Sequence, residues 1–151
     1  MQKIIYIFIS LFLLSQLSCV KTLVADELNK KNKTECDDFL AKIGKKPKDL
    51  LFIECERTNQ SQIDVFKASY KVLGTNAAQV ENYLQNTFQM PKLHFVCCGW
   101  ETSPDKGIYK NSEGFDYQIE MWSEETIIGD RNEWEKIHFF YVSVTLPLEK
   151  P

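Results

Sequence analysis

Strict alternation of apolar and polar residues in three separate stretches limits the folds open to this chain more than any other feature. Phe66, Ala68, Tyr70 and Val72 alternate with Lys67, Ser69 and Lys71. Phe115, Tyr117, Ile119 and Met121 alternate with Asp116, Gln118 and Glu120, and Phe140, Val142, Val144 and Leu146 recur at every second position further on. Successive side chains of a strand point to opposite faces, so each stretch reads as a strand with one face in the core and one in water. With 44% hydrophobic and 26% charged residues among 151, the chain can bury one domain-sized core. Disorder, collagen-like repeats and, at a net charge of −3, a polybasic nucleic-acid binder are excluded.

The remaining elements follow from period and punctuation. Cys36, Phe39, Leu40 and Ile43 form one apolar stripe at helical spacing, with Thr34 as cap and Gly44 as left-handed stop. A strand over Leu50 to Glu56, with Leu51, Ile53 and Cys55 on one face, leads through a turn at Thr58–Ser61 to a strand over Ile63–Leu73 that Gly74 ends. A second helix is expected from Ala77 to Phe88, opened by Asn76 and Gln79. Ala77, Val80, Leu84 and Phe88 are its buried stripe, and Glu81, Gln85 and Asn86 its wet face. Leu93 to Trp100 reads as one central strand, and Thr102 to Glu113 as a long loop. The order α-β-β-α-β-β-β has short connections. It predicts an α+β fold of two layers: a mainly antiparallel sheet of about five strands with both helices on one face.

The N-terminus reads as an export leader. Lys3 precedes the apolar run Ile4–Leu14, and Ser15 to Ser18 lead to Cys19. At about 1.5 Å per residue that run covers roughly 16 Å, about half a bilayer core, too little for a standard anchor. The pattern resembles a bacterial lipoprotein signal, which implies lipid attachment at Cys19 and a periplasmic protein held at the outer membrane. Gln16 departs from that pattern, and cleavage after Ala25 is the alternative. Residues 1–18 are then the signal peptide, 19–33 a solvated tether, and 34–151 a single domain.

Once Cys19 is set aside, Cys36, Cys55, Cys97 and Cys98 remain, an even number suited to two disulfides in an oxidising compartment. A bond between neighbours on a strand is strained, because their side chains diverge. The expectation is therefore Cys36–Cys97 with Cys55–Cys98, or Cys36–Cys98 with Cys55–Cys97. The lack of a CxxC and the distant His94 and His138 argue against a metal site, and nothing calls for a cofactor.

The run YKVLGTNAAQVENYLQNTFQM followed by KLHFVCCGWE, from Tyr70 to Glu101, resembles a family of small exported bacterial proteins catalogued as a domain of unknown function. The resemblance extends from Cys36 onward and implies an envelope location. It brings no catalytic residue.

Catalytic motifs are likewise missing: no GxSxG, HExxH or phosphate loop is present. Cys98 and His94 on one strand face would stand roughly 13 Å apart, too far for a nucleophile and its base. The pairs Glu54/Glu56 and Glu124/Glu125 fit solvated faces. From Glu101 to Lys136, ten acids stand against four bases, a local balance of −6 among several aromatic residues. Trp100, Glu101, Tyr109, Glu120, Trp122 and Glu124 are the candidate binding residues, a face for a cationic protein partner, with Trp134 as a further aromatic. The expected role is that of a non-enzymatic, lipid-tethered periplasmic binding protein, with an immunity protein against a secreted toxin as its most concrete form. A structural envelope lipoprotein is one alternative, and a hydrolase inhibitor or an enzyme another. Membrane contact is expected only through the lipid on Cys19.

Overall fold

The last strand of the chain becomes the middle of the sheet. In a computed structural model that describes residues 35–149, β7 (Phe139–Pro147) pairs on one side with β2 (Ile63–Leu73) and on the other with β6 (Asp116–Ser123). Its inward residues Phe140, Val142, Val144 and Leu146 are fully buried, and the most apolar alternating strand is the one with most to gain from a central place. The other strands are β1 (Leu51–Gln60), β3 (His94–Val96), β4 (Gly99–Glu101) and β5 (Gly107–Lys110). Seven strands form one sheet in the order β1-β2-β7-β6-β4-β3, β5 lies beside β6, and every pairing is antiparallel. The leader, Cys19 and the tether lie outside the described residues.

The sheet is mainly antiparallel as expected, but it has seven strands where about five were predicted. Cys97 adopts φ 54°, which reverses the chain, so the expected single strand Leu93–Trp100 becomes the hairpin β3–β4. Within the expected loop 102–113, Gly107–Lys110 pairs with β6. The β1–β2 hairpin turns at Ser61 and Gln62, both at positive φ, so the turn falls two to three residues later than the composition of Thr58–Ser61 suggested.

Both helices cover the same face. The short α1 (Phe39–Lys42) sets Phe39 edge-on to Tyr117, and α2 (Gly74–Phe88) sets Phe88 edge-on to Tyr109. Asp38 caps α1 by accepting the Ala41 N–H at 3.0 Å, and Thr34, the expected cap, lies outside the described residues. Asp38 also holds the helix on the sheet, because the buried Tyr70 hydroxyl donates to it at 3.1 Å while accepting the Leu40 N–H at 3.2 Å. Burial pushes that phenol well above its ordinary pKa, so it stays a neutral donor.

On α2 the stripe Ala77, Val80, Leu84 and Phe88 is buried as read from the spacing. The helix starts earlier than Asn76, at Gly74, with Leu73 as cap and no side-chain cap bond. Gly74 is required by close approach, since a Cβ there would fall 2.0 Å from the Ile137 carbonyl oxygen and 2.1 Å from that of Trp134.

The disulfide expectation needs correction. Cys36 bonds to Cys55 with their Cα atoms 5.4 Å apart, and Cys97 and Cys98 are free thiols. The reason lies in the topology: β1 and β3 end up at opposite edges of the sheet, while the segment before α1 lies against β1. The bond closes a loop between residues 19 apart, worth roughly 3 kcal/mol in the chain-entropy model.

Two outcomes test this packing. Replacing both Cys36 and Cys55 by Ala should lower the urea unfolding free energy by roughly 3 kcal/mol with the fold retained. Gly74→Ala should cost more than Ala77→Gly, although helix propensity alone ranks them the other way, and circular dichroism during denaturation reads the difference.

Candidate recognition face

Because the helices share one side, the opposite side of the sheet is the place for a site. Register assigns the residues: Lys67, Ser69 and Lys71 of β2 oppose Thr145, Ser143 and Tyr141 of β7, which oppose Gln118, Glu120 and Trp122 of β6. Beyond β6, Glu101 of β4 pairs with Trp122, and at the far edge Leu51, Glu54 and Glu56 of β1 share the face.

An aromatic strip crosses its middle. Trp122 stacks on Tyr141 with ring centres 6.0 Å apart and planes at 24°, and Phe139 lies 6.4 Å from Tyr141. Lys67 and Lys71 set ammonium groups 5.9 Å and 4.8 Å from the ring centres of Trp122 and Phe139. These rings attract cations through their negative faces. Glu120 binds Lys106 at 2.6 Å and lies 3.3 Å from the Ser143 hydroxyl. At one end of the face a cavity of about 300 Å³ opens between Ile63, Val65, Lys106, Gln118 and Thr145.

Three of the six sequence-derived binding residues belong to this face: Glu101, Glu120 and Trp122. The other three do not. Trp100 is only 5% exposed, because the alternation that turns its neighbour Glu101 outward turns Trp100 into the core. Tyr109 packs on the helix side between Phe88 and Tyr117, with Lys45 over its ring at 5.4 Å. The Glu124 carboxylate accepts the backbone N–H groups of His138 and Phe139 at 2.8 and 3.3 Å, which fixes the start of β7. Phe139, Tyr141, Lys67 and Lys71 were missed. Their signal was present in the sequence: Phe139 and Tyr141 are aromatic residues in the wet phase of an alternating strand.

Trp100 and Trp134 pack against an ion pair whose carboxylate is buried and whose guanidinium is partly exposed. Glu81, assigned by its spacing to the wet face of α2, is 2% exposed and binds Arg131 through both oxygens, at 2.7 and 3.1 Å. The same carboxylate accepts the Leu93 N–H at 2.7 Å, and Arg131 also donates to the Leu93 carbonyl. The guanidinium lies 5.0 Å from the Trp100 ring centre and 4.6 Å from that of Trp134, while the Trp100 indole N–H donates to the Ile128 carbonyl at 2.8 Å. Glu81 is thus engaged by three donors and ties α2 to Leu93 and Arg131, while the buried Trp134 indole nitrogen beside it has no hydrogen-bond partner among the described residues.

The thiols of Cys97 and Cys98 are exposed at the β3–β4 turn, so Cys98 and His94 do not share a strand. Among the described residues no three His, Cys, Asp or Glu side chains gather as metal ligands, and no helix is long and apolar enough to cross a membrane.

Fold and face together define a two-layer α+β protein with one side of its sheet covered by helices and the other open. The chain belongs to the family described as a domain of unknown function, DUF4952, whose model matches residues 25–100, just over half its length. That match takes in α1, β1, β2, α2 and β3 and stops at Trp100 in β4, before the strands that carry Trp122 and Tyr141. No curated protein matches the chain, and no solved structure does.

Arg131→Met should destabilise the fold by about 3–5 kcal/mol, since it strands a buried carboxylate. Adding Glu81→Gln to that variant should recover part of the loss, and urea unfolding of the two variants reads both steps.

Proposed function

We propose that this chain is an exported, non-enzymatic binding protein that offers the helix-free face of its sheet to a protein partner. The observation that carries this reading is the strip Trp122–Tyr141–Phe139, half-buried on the helix-free side of the sheet. Large aromatic side chains flanked by charge are the usual anchors of protein interfaces. Glu101 pairs across from Trp122, so an arginine or lysine of the partner finds a carboxylate beside the aromatic strip there.

The leader pattern of residues 1–18 and the Cys36–Cys55 disulfide support a periplasmic location, with Cys19 as lipid attachment site and sole membrane contact. Within that compartment an immunity-type protein that blocks a secreted toxin is the most concrete form of the role. No cofactor enters it.

The test is capture from envelope extract, by the full chain and by its Trp122→Ala variant in parallel. One stoichiometric protein partner is expected, with the Trp122→Ala variant binding it roughly 30-fold more weakly, the loss of a hot-spot anchor. Glu101→Lys should slow association, most at low salt. Equal recovery by the wild type and Trp122→Ala would overturn the assignment of this face.

A further inference from the structure

The β3–β4 turn carries two adjacent cysteines whose sulfur atoms stand 3.0 Å apart, both at the surface. The turn is held on both sides. The Cys98 N–H donates to the Val96 carbonyl at 2.6 Å, and the Cys98 carbonyl accepts the Thr126 N–H at 2.8 Å. Just beyond, Trp100 anchors β4 by donating its backbone N–H to the Ser123 hydroxyl at 2.9 Å.

Cysteine pairing leaves these two sulfurs to each other. Cys36 and Cys55 are joined, so Cys97 and Cys98 are the free thiols among the described residues. On an extended strand neighbouring side chains diverge, which keeps adjacent cysteines apart. Here Cys97 has φ 54°, and the turn brings both side chains to the same side.

We propose that Cys97 and Cys98 form a vicinal disulfide that opens and closes by exchange with external thiols and disulfides, which makes this turn a thiol–disulfide exchange site. Closure starts from an external disulfide R–S–S–R′. The Cys97 thiolate attacks one of its sulfurs, the R′ thiolate leaves and takes up a proton, and a mixed disulfide joins Cys97 to R. Cys98 then loses its proton and attacks the Cys97 sulfur, and the R thiolate leaves and is protonated in turn. Two protein thiols are oxidised, one external disulfide is reduced to two thiols, and the protons balance. Opening is the reverse.

Geometry supports both directions. Closing the bond needs the sulfurs to approach by roughly 1 Å, to the usual 2.05 Å. Adjacent Cα atoms are held about 3.8 Å apart by a trans peptide, below the ordinary range for bridged cysteines, so the closed form is strained and easily reduced. Cys36–Cys55, with its Cα atoms 5.4 Å apart, is within that range. The hydrogen bond to Cys97, its charge and that of Glu125 push the Cys98 thiol above its ordinary pKa.

The site makes no use of the recognition face, so its test is independent of the partner. The full chain is equilibrated in glutathione buffers from reducing to oxidising, quenched in acid, alkylated and digested with trypsin. Leu93–Lys106 is then a single peptide that holds Cys97 and Cys98 and no other cysteine. At the reducing end it should take two alkyl groups. At the oxidising end it should take none and be lighter than the unmodified dithiol by two hydrogen atoms. Its equilibrium constant for reduction should exceed that of Cys36–Cys55 by at least about tenfold. Cys97→Ser should instead leave Cys98 as a glutathione mixed disulfide. A peptide that still takes two alkyl groups in the most oxidising buffer would overturn the proposal. So would a crosslink from either cysteine to another peptide, or opening at the same glutathione ratio as Cys36–Cys55.

Discussion

The Glu81–Arg131 pair ties together three parts of the chain that lie far apart in sequence. It joins the middle of α2 to the segment entering β3 and to the 3-10 helix Arg131–Lys136, and it does so through a carboxylate that is almost wholly removed from water. A buried ion pair adds little net stability against an apolar replacement, yet breaking it is costly, so it acts as a demand for one arrangement. Two indoles close over the guanidinium, and the Trp134 ring then packs 4.7 Å from Phe140 in the central strand. The position of α2 over the sheet thus rests on this ion pair together with the close approach at Gly74 and the buried stripe Ala77, Val80, Leu84 and Phe88.

That arrangement makes the sheet two-sided. Gly74 lets α2 start directly on the carbonyls of Trp134 and Ile137, so the helix lies close to β7 and the residues beneath it are fully buried. α1, tied by Cys36–Cys55 and by the Tyr70 hydroxyl, covers more of the same side. Nothing in the described chain covers the other side. Its middle is kept tight by small polar residues, Ser143 and Thr145, sheltered among longer neighbours, and its aromatic strip lies at the β2–β7–β6 junction.

Much of the core could be read in the sequence, because period-two alternation and helical spacing report burial directly. The buried phases of β2, β6 and β7 and the stripe Ala77, Val80, Leu84, Phe88 are cases in point. The candidate face was only partly readable. Glu101, Glu120 and Trp122 followed from local acidity and aromatic content, but the same criterion drew in Trp100, Tyr109 and Glu124. Composition does not say which phase of a strand a residue occupies, and alternation assigned by register places Trp100 and Glu101 on opposite sides.

The sequence by itself determined the fold class, the one-sided alternation and the even set of four cysteines, since these rest on local spacing and on residue type. Only the tertiary structure decided that the final strand lies at the centre, that Cys36 meets Cys55 and leaves Cys97 facing Cys98, and that a glutamate from the wet side of a helix is buried against Arg131. Those outcomes depend on contacts between residues far apart in the chain, such as the 50 positions that separate Glu81 from Arg131. No local pattern records which of several distant partners gives a buried charge or a thiol its lowest free energy.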